Sequence, residues 1–220
     1  MAGLAVVGGH SILGVEDDVP RDCVLVQRHR PDGRRELPAH LVDHVANLRS
    51  VVDGGCDRVL AISSVGGLRA DVGVGTFLAP DDFVALGPTP SIYDDFRGHT
   101  VPGLSPAWRD RVVDTWRARA DGIAPLRAGG VYWQSVGPRF ETPAEIRFIA
   151  QHADVVGMTM ASECVVAREL GLDYACVCVV DNLANGVGPQ PLSREEYEVG
   201  KRANQATLLD ALRAVVPELA

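Results

Sequence analysis

The chain has 220 residues, 46% of them hydrophobic, with a formal net charge of -8 and a pI near 5.2. That is enough apolar sequence to bury a full core, and one domain over 1–220 is expected. The acidic balance excludes recognition of a nucleic-acid backbone by bulk charge, although a small anion could still meet a local group of arginines.

No apolar run reaches the roughly 20 residues that span a bilayer, and the opening MAGLAVVGGH lacks the basic flank of a secretory signal. No membrane partner is expected. Cys23, Cys56, Cys164, Cys176 and Cys178 form no C-x-x-C pair and read as buried free thiols of a reducing, cytoplasmic compartment.

In chain order, β-branched runs alternate with amphipathic stretches. LAVVGG from Leu4 and CVLVQR from Cys23 read as strands, followed by a helix over 40–52. The strand-like DRVLAISSVGG from Asp57 and TFLAPDDFVAL from Thr76 come next, then a helix over 106–120. GVYWQSV from Gly130, ADVVGMT from Ala153 and YACVCVV from Tyr174 complete the strands, with helices over 143–152, 161–170 and 193–216. This alternation predicts an α/β fold with a central, mostly parallel twisted sheet flanked by helices. The Gly-, Pro- and Asp-rich segment 86–106 is the one long irregular stretch, and such loops are usually functional or part of an interface.

In open α/β sheets a ligand sits beyond the carboxyl ends of the strands. The residues found there are Gly9-His10-Ser11, Arg28-His29, Ser63-Ser64 with Gly66-Gly67, Gly137 to Glu141, Met158-Thr159 and Asp181-Asn182. They supply cationic or potentially cationic side chains, hydroxyls and Gly-rich turns for an oxyanion. They also supply an aromatic face, a thioether, a carboxylate and a carboxamide for a planar, hydrogen-bonding heterocycle. Each piece has a plainer reading. Glycine turns occur everywhere, QRHRPDGRR could be a solvated basic loop, Met158 could fill core space and Asn182 could close a turn. ETPAE reads well as a helix start, with Thr142 as cap, Pro143 at the first position and Glu145 three residues after the cap. The plain readings require all these features to meet at strand ends by coincidence.

GPRFETPAEIRF and ADVVGMTMASECVVARELGLDYACVCVVDN closely resemble the second half of the trimeric purine nucleoside phosphorylase and methylthioadenosine phosphorylase family. QRHR, VANLRSVVDGGCDRVLAISSVGGLRADVGVGTFLAPDDFV and SIYDDF resemble its first half, in the same order. The likeness covers nearly the whole chain. It implies phosphate attack on the anomeric carbon of a purine nucleoside, releasing free base and a ribose 1-phosphate, with no metal and no cofactor beyond inorganic phosphate as co-substrate. The enzyme must then bind the separating charge better than the ground state.

Carried over position by position, the resemblance places Ser11, His10, Arg28, His29, Ser63, Ser64 and Thr159 around phosphate. Met158, His44 and His99 fall at the ribose. Phe140, Glu141, Asn182 and Asp181 fall at the base, where Phe140 would stack, Glu141 would accept from a ring N–H and Asn182 would donate to N7. Asn182, Glu141, Arg28 and His29 are the expected catalytic set. The resemblance also implies a homotrimer or a dimer of trimers, with the 86–106 loop lending His99 to a neighbour's site.

Two departures stand out. The turn after the first strand reads Gly8-Gly9-His10-Ser11, so His10 stands where the family has a phosphate-binding hydroxyl. The stretch between Gly14 and Cys23 is also shorter than usual, which opens the sugar's 5′ end, and residues 193–197 are expected to line that end. Glu141 with Asn182 sides with a 6-oxopurine, whose N1–H donates and O6 accepts. The expected substrate is a 6-oxopurine (deoxy)ribonucleoside or 5′-methylthioinosine. The alternatives are a methylthioadenosine phosphorylase, for which Asp181 could accept from a 6-amino group, a nucleoside hydrolase, or a base-binding protein with a weakened phosphate site.

Overall fold

The computed structural model describes residues 3–30, 35–189 and 191–220; residues 31–34 of the basic segment therefore lie outside the described residues. The strands are β1 (Gly3–Gly8), β2 (Val24–Gln27), β3 (Cys56–Gly67), β4 (Phe77–Ala79), β5 (Asp82–Ala85), β6 (Leu126–Ala128), β7 (Val131–Gln134), β8 (Val155–Gly157) and β9 (Asp173–Leu183). The helices are α1 (His44–Asp53), α2 (Pro106–Ala120), α3 (Pro143–Ile149), α4 (Met160–Glu169) and α5 (Arg194–Leu219).

The strands form one sheet in the order β5-β7-β8-β3-β9-β4-β6, with β1 joined to β3 and β2 to β1. Among the described residues the β3–β8 and β4–β9 pairings are antiparallel and the others parallel. The expected mostly parallel α/β sheet is what the chain builds. β3 and β9 are its spine because both are apolar on both faces, as strands covered on each side by helices must be. Leu60 and Ile62 of β3 and Val177 and Val179 of β9 pack with Trp108, Trp116, Leu208 and Leu212 of α2 and α5. The alternate residues Val59, Ala61, Cys176 and Cys178 pack with Leu48, Val51, Met160 and Cys164 of α1 and α4.

Three expectations are corrected. TFLAPDDFVAL is two strands, because Pro80 and Asp81 interrupt it and send β4 beside β9 and β5 beside β7. LRA is a short strand, β6, paired with β4; three residues show no periodicity to read. The first helix begins at His44, capped by the Asp43 side chain accepting from the Ala46 N–H, while 39–41 form a separate 3-10 turn. The start of α3 follows the capping box of Thr142 and Glu145 with Pro143 in the first turn.

Two features of β9 position the site. Its register against β3 shifts between Val65 and Gly66, so that Val65 faces Val180 and Gly66 faces Asn182. Asp181 is the extra residue of this bulge, and bulges of this kind re-aim neighbouring side chains. Helix α5 crosses close behind it: a Cβ on Gly200 would lie 1.7 Å from the Asp181 carbonyl oxygen. Glycine there lets the helix bring its first turns over the sheet.

Candidate functional site

A cavity of about 520 Å³ opens beyond the ends of β2, β3, β8 and β9 and is lined by Arg28 and His29 just after β2, by residues of β3, β8 and β9, of the 137–141 turn and of the start of α5. Gly137 adopts φ 69°, and a Cβ there would fall 2.6 Å from Met158 Sδ. The turn thus needs glycine both for its backbone and to let Phe140 and Glu141 close over Met158.

At one end stand Phe140, Glu141 and Asn182. Phe140 is 38% exposed, whereas Glu141 and Asn182 are only 7% and 8% exposed. The Asn182 amide donates one N–H to the Leu183 carbonyl at 2.9 Å, which leaves its second N–H uncommitted. The Glu141 main-chain carbonyl accepts from Asn185. Its carboxylate makes no hydrogen bond or ion pair among the described residues. The residue is largely buried but lines the cavity, so this carboxylate is placed to receive a donor from a ligand there.

At the other end the polar groups are already paired. Arg28 is fully buried. Its Nε and Nη2 donate to the two carboxylate oxygens of Glu163, Nη2 also to Val7 O, and Nη1 to Ile62 O at 3.0 Å. With five N–H donors on a guanidinium, one remains, on Nη1. Glu163 also accepts from the Tyr174 hydroxyl at 2.9 Å, and this pairing drives the Arg28 pKa further up despite burial.

His29 donates Nδ1–H to Leu37 O at 2.9 Å. Burial, with the charges of His10 and Arg28 adding to it, pushes its pKa down to about 3. The imidazole is neutral near pH 7. His10 stacks on it with ring centroids 4.0 Å apart and is tied to Glu36 at 2.9 Å; burial lowers its pKa too, outweighing Glu36. His10 and His29, potentially cationic in the sequence, are thus neutral rings, each donating one N–H to the protein.

Ser64, Met158 and Thr159 line the cavity. Thr159 caps α4, but its hydroxyl makes no capping bond, because the Tyr132 hydroxyl accepts from the Thr159 and Met160 N–H groups and Gln134 accepts from that of Ser162.

The remaining expected site residues fall outside the cavity wall. Ser63 points to the opposite face of β3 from Ser64, buried with its hydroxyl unpartnered. His44 turns toward Glu163, 3.9 Å from Nδ1 to Oε1. Asp181 sits behind the wall, on the opposite side of β9 from Asn182, accepting from Asn204 at 2.8 Å, from Ser64, and from Ser11 at 3.5 Å. Ser11 is buried with it. His99 is exposed on the long loop, stacked on Phe96.

Conversely, the wall contains Glu36, Arg194, Tyr197 and Glu198. The start of α5 was expected near the sugar, but nothing local marks Glu36 or Glu198. Glu163 left one readable trace, a lone acid inside the apolar run MASECVVA. No group of three or more His, Cys, Asp or Glu among the described residues could hold a metal ion. No helix among them is long and apolar enough to cross a membrane.

Known proteins resemble this chain in sequence and in fold. The chain is 35% identical over 198 residues, 90% of its length and 80% of the relative's, to a protein of Archaeoglobus fulgidus named "Probable 6-oxopurine nucleoside phosphorylase". It is 34% identical over 201 residues, 90% of its length and 69% of the relative's, to a "Probable S-methyl-5'-thioinosine phosphorylase" of Methanothermobacter thermautotrophicus. Among solved structures, methylthioadenosine phosphorylase from Schistosoma mansoni in complex with adenine superposes with a TM-score of 0.80 at 20% identity, over 99% of this chain and 92% of that one. That likeness speaks for the fold. With the family model of the phosphorylase superfamily matching residues 15–217, the chain belongs to the phosphorylase superfamily.

Proposed function

We propose that the protein is a purine nucleoside phosphorylase that cleaves the N-glycosidic bond of a 6-oxopurine nucleoside with inorganic phosphate, giving the free base and a ribose 1-phosphate. The observation that carries this reading is the buried, unpartnered Glu141 carboxylate beside Phe140 and the free N–H of Asn182. A 6-oxopurine brings an N1–H for the carboxylate and acceptors at O6 and N7 for the carboxamide. Adenine has a lone pair at N1 and would leave Glu141 buried against it.

The two relatives' names differ at the sugar, one being a 6-oxopurine nucleoside phosphorylase and the other specifying a methylthio group at C5′. S-methyl-5′-thioinosine carries hypoxanthine, a 6-oxopurine, with its sulfur on the sugar. The shared base is what Glu141 and Asn182 explain. As the bond breaks, negative charge spreads into the imidazole ring of the purine. The Asn182 N–H then strengthens its hold on N7, while Glu141 fixes the ring and Phe140 covers its face. Thr159, Ser64 and the last N–H of Arg28 bound the side from which phosphate attacks. Phosphate is the only co-substrate, with no metal or organic cofactor.

The working unit is a homotrimer in the cytoplasm. In support, Phe96 and Val101 of the long loop are 87% and 88% exposed, a large apolar surface for a chain to leave bare. The thiols are free, which suits a reducing compartment. Light scattering that returned a fully active monomer would end the trimer.

The test of function is base release from inosine, 5′-methylthioinosine and methylthioadenosine, each with and without phosphate. Phosphate-dependent release from the first two, far above the third, is expected. Faster cleavage of methylthioadenosine, or release independent of phosphate, would overturn the reading. The second of these would favour a hydrolase, which the paired anion end makes worth testing.

A further inference from the structure

Ser11 and Ser64 stand where hydroxyl donors to phosphate are expected, yet both protons are spent elsewhere. Each hydroxyl donates to the same oxygen of Asp181, a carboxylate 1% exposed whose other oxygen accepts from Asn204. A hydroxyl carries one proton and two lone pairs. With its proton turned inward, Ser64 presents oxygen lone pairs to the cavity it lines. The fixed charge of Arg28 is offset by Glu163, and both histidines are neutral, so charge alone does not define this end. Thr159 keeps a hydroxyl free of capping duty. The wall therefore combines donors, from Thr159 and Arg28, with an acceptor, Ser64.

We infer that Asp181 is a positioning residue which, by holding the Ser64 proton, makes the anion site selective for an oxyanion that carries its own O–H. Monohydrogen phosphate has such a proton, and sulfate, of the same shape and charge above neutral pH, does not. Ser64 accepts the P–OH, while the bare oxygens of phosphate meet Thr159 and the Arg28 N–H. Sulfate sets a lone pair against the Ser64 lone pair. Strand alternation allows this, since consecutive residues serve opposite sides of β9: Asn182 the cavity, Asp181 the back of its wall, toward Asn204 of α5.

The inference rests on the phosphorolysis reading, and calorimetric titration of the intact protein with phosphate and with sulfate above neutral pH separates the two. Wild-type protein is expected to bind phosphate at least about tenfold more tightly than sulfate, the size of one hydrogen bond to a charged group. In Asp181→Asn the carboxamide can donate to Ser64 Oγ and free its proton for the cavity, so the preference should fall about tenfold, mainly through tighter sulfate binding. Ser64→Ala, which removes the acceptor and leaves Asp181 held by Asn204 and Ser11, should relax the preference as well and guards against misfolding of the first variant. Circular dichroism checks both. In turnover, the Asp181→Asn effect should appear as stronger inhibition by sulfate relative to the KM for phosphate. Equal binding of the two anions by wild type, or a preference unchanged in both variants, overturns the role of Asp181 while leaving phosphorolysis intact. Failure of phosphate to bind, with base release independent of it, defeats the phosphorolysis reading and this inference together.

Discussion

At the base end, Glu141 and Asn182 keep a carboxylate and an N–H unspent and Phe140 leaves a ring face open, whereas at the anion end nearly every polar group already has a protein partner. Arg28 is held by Glu163, His10 by Glu36, His29 by Leu37, and Ser64 by Asp181. The base end is vacant chemistry waiting for a ligand, and the anion end is a framework that shapes donors and acceptors by internal bonds. A substitution at the first should cost activity and little stability, and one at the second should cost stability as well.

The largest effect is expected at Glu163. Glu163→Ala leaves the Arg28 guanidinium buried without its counter-ion and strands the Tyr174 hydroxyl, and breaking a buried pair from one side costs about 3–5 kcal/mol. Denaturant unfolding should show that loss. Glu141→Ala should leave unfolding within about 0.5 kcal/mol of wild type, because its carboxylate holds nothing in the protein. Its cost falls on kcat/KM for inosine, about 100-fold for a lost hydrogen bond to a buried charge. Comparable stability losses in the two variants would erase the contrast.

The same contrast explains what could be read in advance. The base end is local: Phe140, Glu141 and the capped start of α3 sit within a few residues, and Asn182 follows an unmistakable buried strand. Two-sided apolar runs likewise announced β3 and β9, and with them the fold class. The anion end is assembled from distant positions. The partner of Arg28 comes 135 residues later, at Glu163, and the acceptor for Ser64 comes 117 residues later, at Asp181, so spacing gives no hint of either pair. Asp181, next to Asn182 in the sequence, is turned by ordinary strand alternation to the α5 side of the sheet, where Asn204 holds it out of the cavity. Ser63 and His44 failed for the simpler reason that one step along a strand, or the orientation of a helix, turns a polar side chain away from the site.

The base end can be sharpened by charge. Asn182→Asp exchanges a donor for an acceptor opposite N7 and O6, close to the existing Glu141 carboxylate, and weakens the grip on a 6-oxopurine. The ratio of inosine to adenosine cleavage should narrow by about tenfold or more. Steady-state kinetics on the two nucleosides checks this, and an unchanged ratio would remove Asn182 from base selection.

The anion end can be probed by pH. His29 has its folded pKa lowered to about 3 from an unfolded value of about 6.5, so the unfolded chain binds the proton first. The stabilising contribution of the neutral ring is complete above about pH 6.5 and is lost as pH falls from there toward about 3. Thermal unfolding across that window should slope downward in acid, and His29→Asn should flatten the slope. A slope equally steep in the variant would assign it to other groups.

The smallest effect is expected at His10, the residue that departs from the family's hydroxyl. Its bond to Glu36 joins side chains 25% and 43% exposed, and exposed pairs of this kind contribute about 1 kcal/mol or less. The ring nonetheless covers His29 at 4.0 Å and brings no positive charge, since burial keeps it neutral near pH 7. It thus occupies space beside the anion without attracting it. His10→Ser removes the ring, uncovers His29 and restores a small hydroxyl at the turn after β1. Stability should change by less than about 1 kcal/mol, and the KM for phosphate should fall about threefold, with kcat and the KM for inosine unchanged. Phosphate saturation curves at fixed inosine measure it. A rise in phosphate KM would instead show that the ring itself helps to hold the anion, and would make the anion end less of a passive framework than its hydrogen bonds suggest.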